Sequence, residues 1–163
     1  MSSTLETTMY TVAQLFLLPT LLLIAALFLY AFWTLGEFVV LAFSRRRGAG
    51  RPLVAAHRAA APLGLSDDEL ELRAHKLMEG PRIASRVTPL LGLVATMIPM
   101  GPALKGLSDG NLAQVSSHLG VAFSAVILAL IAAAITFCIA HVRRRWLAEE
   151  MLEITHTRSQ GAG

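Results

Sequence analysis

Few side chains in this 163-residue sequence could handle a proton or an ion, and where they fall matters more than how many there are. Thr96 and Ser124 put hydroxyls inside long uncharged stretches, with His118, Cys138 and His141 near the ends of one of them. Glu37 follows Gly36 at the end of another. A proton relay through a membrane needs a group that holds the proton at mid-depth, ordinarily an acid. Between Arg86 and Arg143 the one acid is Asp109, so these stretches lack that central part. Asp67, Asp68, Glu69 and Glu71 lie close together, but acids in the first turn of a helix serve its dipole and its solubility. No GxSxG, HExxH or glycine-rich phosphate loop is present, so no enzyme, cofactor or metal site is expected. The single cysteine, Cys138, excludes an intramolecular disulfide.

The elements that carry these residues follow from composition. The chain is 55% hydrophobic and 15% charged, against roughly 45–50% and about 25% in soluble domains. The excess is aliphatic and comes in long runs, which predicts membrane helices rather than a β-barrel. Leu15 to Leu35 holds 21 residues without a charge, enough at about 1.5 Å per residue to cross one hydrocarbon core. Arg86 and Lys105 bracket 18 uncharged residues, near the lower limit for a span. Pro99, Gly101 and Pro102 are expected to distort its second half and to require enclosure by protein. The third span, Leu119 to Val142, closes with Arg143, Arg144 and Arg145.

Lys and Arg number 9 between residues 44 and 86, 4 from 143 onward and 1 between spans two and three. Basic residues favour the cytoplasm. The expected organisation is a periplasmic N-terminus (1–11), a first transmembrane helix (12–43), a cytoplasmic linker and helix (44–86), a second span (87–104), a periplasmic loop (105–115), a third span (116–142) and a cytoplasmic tail (143–163). This is an all-α, multi-pass membrane protein with a short cytoplasmic helix and a cytoplasmic C-terminal helical extension. The basicity, pI near 9.6 at a formal charge of +3, is read as topology, with the lipid bilayer and no nucleic acid as partner.

Inside, Arg45 to Leu63 reads as a basic linker against anionic headgroups. Ser66 with Glu69 three residues on forms a capping box, and Leu65 and Leu70 can staple across it. The helix that follows, with Leu70, Ala74 and Leu77 on one face, is expected to end at Gly80-Pro81. The tail should continue span three with Leu147, Met151 and Ile154 on one side. On span three, Ser117, Gly120 and Ser124 fall on one stripe, and Ala122, Ala125, Ala129, Ala133, Thr136 and Ala140 form a second. On span two, Gly92, Thr96, Met100 and Ala103 share a side. Such stripes allow close helix contact or a narrow lining. Each hydroxyl also has a plainer role, bonding back to a carbonyl of its own preceding turn. His118 and Glu37 are candidate relay groups, with an interfacial polar residue and an arginine-paired acid as the ordinary explanations.

The stretch Thr88-Pro89-Leu90-Leu91-Gly92-Leu93-Val94-Ala95-Thr96 resembles the second-span motif of the MotA/TolQ/ExbB proton-channel family, often A-P-x-x-G-L-x-G-T. Ala122-Phe123-Ser124-Ala125-Val126-Ile127-Leu128 resembles that family's A-T-A-x-G-L segment. The resemblance, specific over about residues 86–145, implies the channel-forming subunit of a compact, TolQ/ExbB-like, proton-motive-force-driven motor in the inner membrane. It implies a homopentamer around two single-span TolR/ExbD/MotB-like partners whose transmembrane aspartate carries the proton. Thr96 and Ser124 would then be the ion-pathway hydroxyls, with Pro89, Gly92, Gly120 and Ala125 shaping the pore. Ser124 stands where threonine is usual, Ile127 where glycine is frequent, and the glutamate common before the third-span threonine is absent. The alternative reading is a non-conducting membrane scaffold or accessory subunit.

Overall fold

Helix formation here follows from long runs of Leu, Ala and other aliphatic residues, and in the third helix it persists past Pro81, Pro89, Pro99 and Pro102. A computed structural model describes residues 2–47, 50–60 and 65–161. Among these there are four helices and no strand: α1 (Ser2–Arg46), α2 (Pro52–Ala59), α3 (Asp67–Ser108) and α4 (Leu112–Gly161). Three are long and apolar enough to cross a membrane. At 45, 42 and 50 residues each also exceeds the roughly 20 residues that a hydrocarbon core requires, so each carries helix beyond its apolar span.

Two expectations are corrected. The helix opening at Ser66 does not end at Gly80-Pro81, because α3 is continuous from Asp67 to Ser108. Buried positions keep to one face through the break, from Ala74 to Pro81 seven residues on and then at steps of three or four to Ala84, Thr88, Gly92 and Ala95. Pro81 removes one N–H, and packing of a continuous face outweighs that loss. The segment read as a linker contains α2. Its N-cap, Arg51, supplies no side-chain cap, and the N–H of Leu53 is instead accepted by Glu150 Oε2 of α4 at 2.8 Å. A cap lent by a residue 97 positions away leaves no local sequence signature.

The chain divides into two compact units, Met1–Phe32 with Ala84–Ala134 and Trp33–Ile83 with Ile135–Gly163. In the first, Ile24 of α1, Ala95 of α3, and Ala125 and Ala129 of α4 form the core, with Leu21 and Leu91 against it. Small residues at the centre bring the helices close. A Cβ on Gly92 would stand 2.9 Å from that of Ala129. The turn joining α3 to α4 uses Gly110 at φ 72°, a conformation glycine adopts without steric cost, and Asn111 caps α4 by accepting the N–H of Gln114 at 3.1 Å.

The buried hydroxyls of this unit bond within their own helices, as lipid requires. Thr20 and Thr88, both buried, donate to Phe16 O at 2.7 Å and Ala84 O at 2.6 Å. Pro102 leaves the carbonyl of Ile98 without its helical donor. Gln14 of α1 supplies one, Nε2 to O at 3.4 Å. Pro99 and Pro102 are themselves buried, whereas Met97, Met100 and Leu104 of the same half are exposed, so protein covers one face of it and does not enclose it.

In the second unit Leu53 and Val54 of α2, Leu70 and Ala74 of α3, and Leu147 and Ile154 of α4 build the core with Leu65, and Met151 packs against it. The capping box at Ser66 forms: Glu69 Oε2 accepts the N–H of Ser66 at 2.9 Å, and Ser66 Oγ accepts that of Glu69 at 3.3 Å. Leu77, assigned to the same face as Leu70, is 40% exposed.

Candidate functional site

The first unit carries an open groove of about 720 Å³ lined by α1 and α4. Leu21 and Ile24 form one wall, and Ser116, Ser117, Gly120 and Ser124 are on the other, with Ala125 at its base. The hydroxyls recur here because Ser117, Gly120 and Ser124 are spaced three and four apart on α4, one stripe of a 3.6-residue helix. The stripe Ala122, Ala125, Ala129, Ala133 and Thr136 is buried and is the packing face. Its neighbour, bearing Gly120 and Ser124, is exposed.

Ser124 Oγ donates to Gly120 O at 2.9 Å, and Thr96 Oγ1 donates to Leu93 O at 2.7 Å. A hydroxyl that donates back to its own helix keeps its lone pairs for accepting from a water or a protonated carboxyl. No residue lining the groove carries a charge at neutral pH, so the groove offers hydrogen bonds without trapping an ion.

The eight residues singled out by sequence do not form one cluster. Ser124, Gly120 and Ala125 line the groove; Thr96 and His118, both half-buried, and Pro89 are not among its lining residues. Gly92 is buried against Val126 and Ala129 of α4, a helix-contact position. Nothing lies within 4 Å of a Cβ built on Gly120. Glu37 belongs to the second unit, where Trp33 Nε1 donates to its Oε1 at 3.0 Å and Arg143 Nη2 stands 3.8 Å from Oε2. The glutamate therefore sits as an arginine-paired acid.

Sequence reasoning missed Leu21 and Ile24, because nothing in an aliphatic run marks which leucine faces a groove. It also missed Gln14, whose signal was available: Pro102 orphans the carbonyl four residues before it, and an amide side chain in an apolar helix needs a partner.

Much of the apolar surface is uncovered, with Leu15 at 74%, Trp33 at 71% and Leu29 at 70% exposure. Apolar surface on that scale requires lipid or another protein chain. The class is thus a helical membrane protein with three membrane-length helices. A sequence model of the MotA/TolQ/ExbB proton channel family matches residues 68–156, and the chain belongs to that family. It is a family of channels rather than enzymes. No curated protein and no solved structure matches the chain significantly.

Proposed function

We propose that this chain is the channel-forming subunit of an inner-membrane motor that couples proton flow to movement of a TolR/ExbD/MotB-like partner. Five copies surround two single transmembrane helices, each bringing the aspartate that these spans lack. The N-terminus and the loop at 105–115 lie outside; residues 44–86 and the C-terminal tail lie in the cytoplasm, following the distribution of Lys and Arg. Thr96 and Ser124 accept from the protonated aspartate or from a water beside it, and Pro89, Gly92, Gly120 and Ala125 set the shape of the lining. Glu37 and His118 are the possible relay groups.

The observation that carries this reading is an acid-free groove bearing exposed serine hydroxyls in a chain of the proton-channel family. Co-expression with the neighbouring genes, followed by native mass spectrometry in mild detergent, tests it. Five copies with two single-span partners is the expected composition, whereas a monomer or a one-to-one complex with an unrelated protein overturns it. The second reading, a non-conducting scaffold, is favoured by the bonds that Thr96 and Ser124 make to their own helices. Proton flux through the assembled complex separates the two: Thr96→Val with Ser124→Ala abolishes conduction in a channel, and intact conduction in that double variant counts against hydroxyls in the pathway.

A further inference from the structure

His57 lies in α2, and its Nδ1 stands 3.1 Å from the backbone N of Leu65. Since the partner is an N–H, the ring nitrogen can only be the acceptor, which requires the tautomer protonated on Nε2 alone. Leu65 is 6% exposed and belongs to the core that Leu53 and Val54 of α2 help to build. Its carbonyl is held from the other side by Arg158 of α4, which also pairs with Asp67 of α3. Thus the residue preceding the capping box of α3 is fixed at both backbone groups, and one of the two holding atoms is a titratable nitrogen.

We infer that His57 is an acid-sensitive latch, closed while Nδ1 accepts the N–H of Leu65 and opened when a proton from solvent occupies that nitrogen. Protonation leaves two donors facing each other, and the bond is lost. The surroundings provide little compensation. His57 shares a groove of about 180 Å³ with Arg58 of its own helix and with Glu153, Thr157 and Arg158 of α4. Arg51 of α2 holds both carboxylate oxygens of Glu153, at 2.7 and 2.6 Å, and Asp67 is engaged by Arg158. The one acid lining the groove, Glu153, is therefore already bonded to a guanidinium, Arg158 is paired with Asp67, and one further cation, Arg58, lines the same groove. Opening frees the C-terminal end of α2 from the start of α3.

The latch stands on this geometry alone. Its use, slowing the machine as protons accumulate on the side of α2, rests on the channel reading above. Hydrogen exchange of the Leu65 amide and of α2 tests the latch in the full chain in detergent, compared at about pH 5.5 and about pH 7.5. After correction for intrinsic exchange, the wild-type protein should lose about fivefold of its protection on acidification, the worth of one neutral hydrogen bond. Glu69, which caps the adjoining Ser66, stays ionised there because the Ser66 N–H and hydroxyl hold its carboxyl below the usual range. The pH response must vanish in His57→Ala, which lacks the acceptor, and in His57→Asn, whose amide oxygen accepts without titrating. Unchanged protection in the wild type, or a pH response that persists in either variant, overturns the latch. Proton flux is measured separately, so a chain that conducts nothing can still show the response.

Discussion

Glu150 of α4, 1% exposed, holds Arg45 of α1 by Oε1 at 2.6 Å from Nη1 and the N-terminus of α2 by Oε2 at 2.8 Å from Leu53 N. One carboxylate thereby ties three helices of the second unit together. The guanidinium has further support, since it lies 5.0 Å from the Trp146 ring centroid and donates to Trp146 O at 3.3 Å. Trp146 in turn stacks on Phe38, centroids 5.1 Å apart. Removing one member of a buried pair leaves the other charge uncompensated, which costs about 3 kcal/mol or more. Glu150→Ala should therefore lower the thermal midpoint in detergent strongly and deprotect the amides of α2. Glu150→Gln should fall between, because its amide oxygen can still accept from Leu53 while the charge opposite Arg45 is gone.

The two glycines expected to shape the pore should behave differently. A Cβ at Gly92 would stand 2.9 Å from Ala129 Cβ and 3.4 Å from Val126 Cγ2, whereas one at Gly120 meets nothing within 4 Å. Gly92→Ala must push α3 from α4 and should destabilise the chain by about 1–3 kcal/mol. Gly120→Ala should leave the stability of the isolated chain nearly unchanged, with unfolding by heat or denaturant as the readout. A loss of assembly or of flux in Gly120→Ala without loss of stability would place another helix in the groove.

Gln14 and Pro102 should be coupled. With proline at 102 the carbonyl of Ile98 depends on Gln14 Nε2, and Gln14→Leu should cost about 1 kcal/mol. Pro102→Ala returns the missing N–H to α3, after which Gln14→Leu should cost less. A double-mutant cycle on unfolding free energy reads the difference. Equal costs in the two backgrounds would mean that the amide does not serve that carbonyl.

How much of this was legible in the sequence depends on whether the cause was local. The three long apolar helices, the Ser66–Glu69 cap and the Leu147, Met151, Ile154 face follow from composition and short-range periodicity, and the structure has them. The buried alanine stripe on α4 was equally visible, because a 3.6-residue period fixes which residues share a face. What failed had a distant cause. The persistence of α3 through Gly80-Pro81 depends on a packed face on both sides of the break. The existence of α2 depends on Glu150, and the wall opposite Ser124 on Leu21 and Ile24. The site hydroxyls could be nominated by motif and period, but whether Thr96 shares the groove with Ser124 is set by helix rotation, which a period cannot fix between two helices.

The cap at the start of α3 gives stability an acid limit with a definite sign. Glu69 carries a carboxyl held below its ordinary range, first by the Ser66 N–H, then by the Ser66 hydroxyl, with Arg73 adding to both. An unfolded glutamate titrates near about 4.3. A folded value below that means that the unfolded chain binds the proton more readily, so acid favours unfolding. The contribution is fully present above the unfolded value and is lost as pH falls through the folded one. Glu69→Gln keeps an acceptor for the Ser66 N–H but carries no charge at any pH. The wild type should therefore hold the first turn of α3 more firmly than Glu69→Gln at neutral pH, by a margin that stays level down to the carboxylate range and then closes. Hydrogen exchange of the amides of residues 66–70 across that range measures the margin. A margin that shrinks as pH rises instead would mean that the carboxylate is not the capping species.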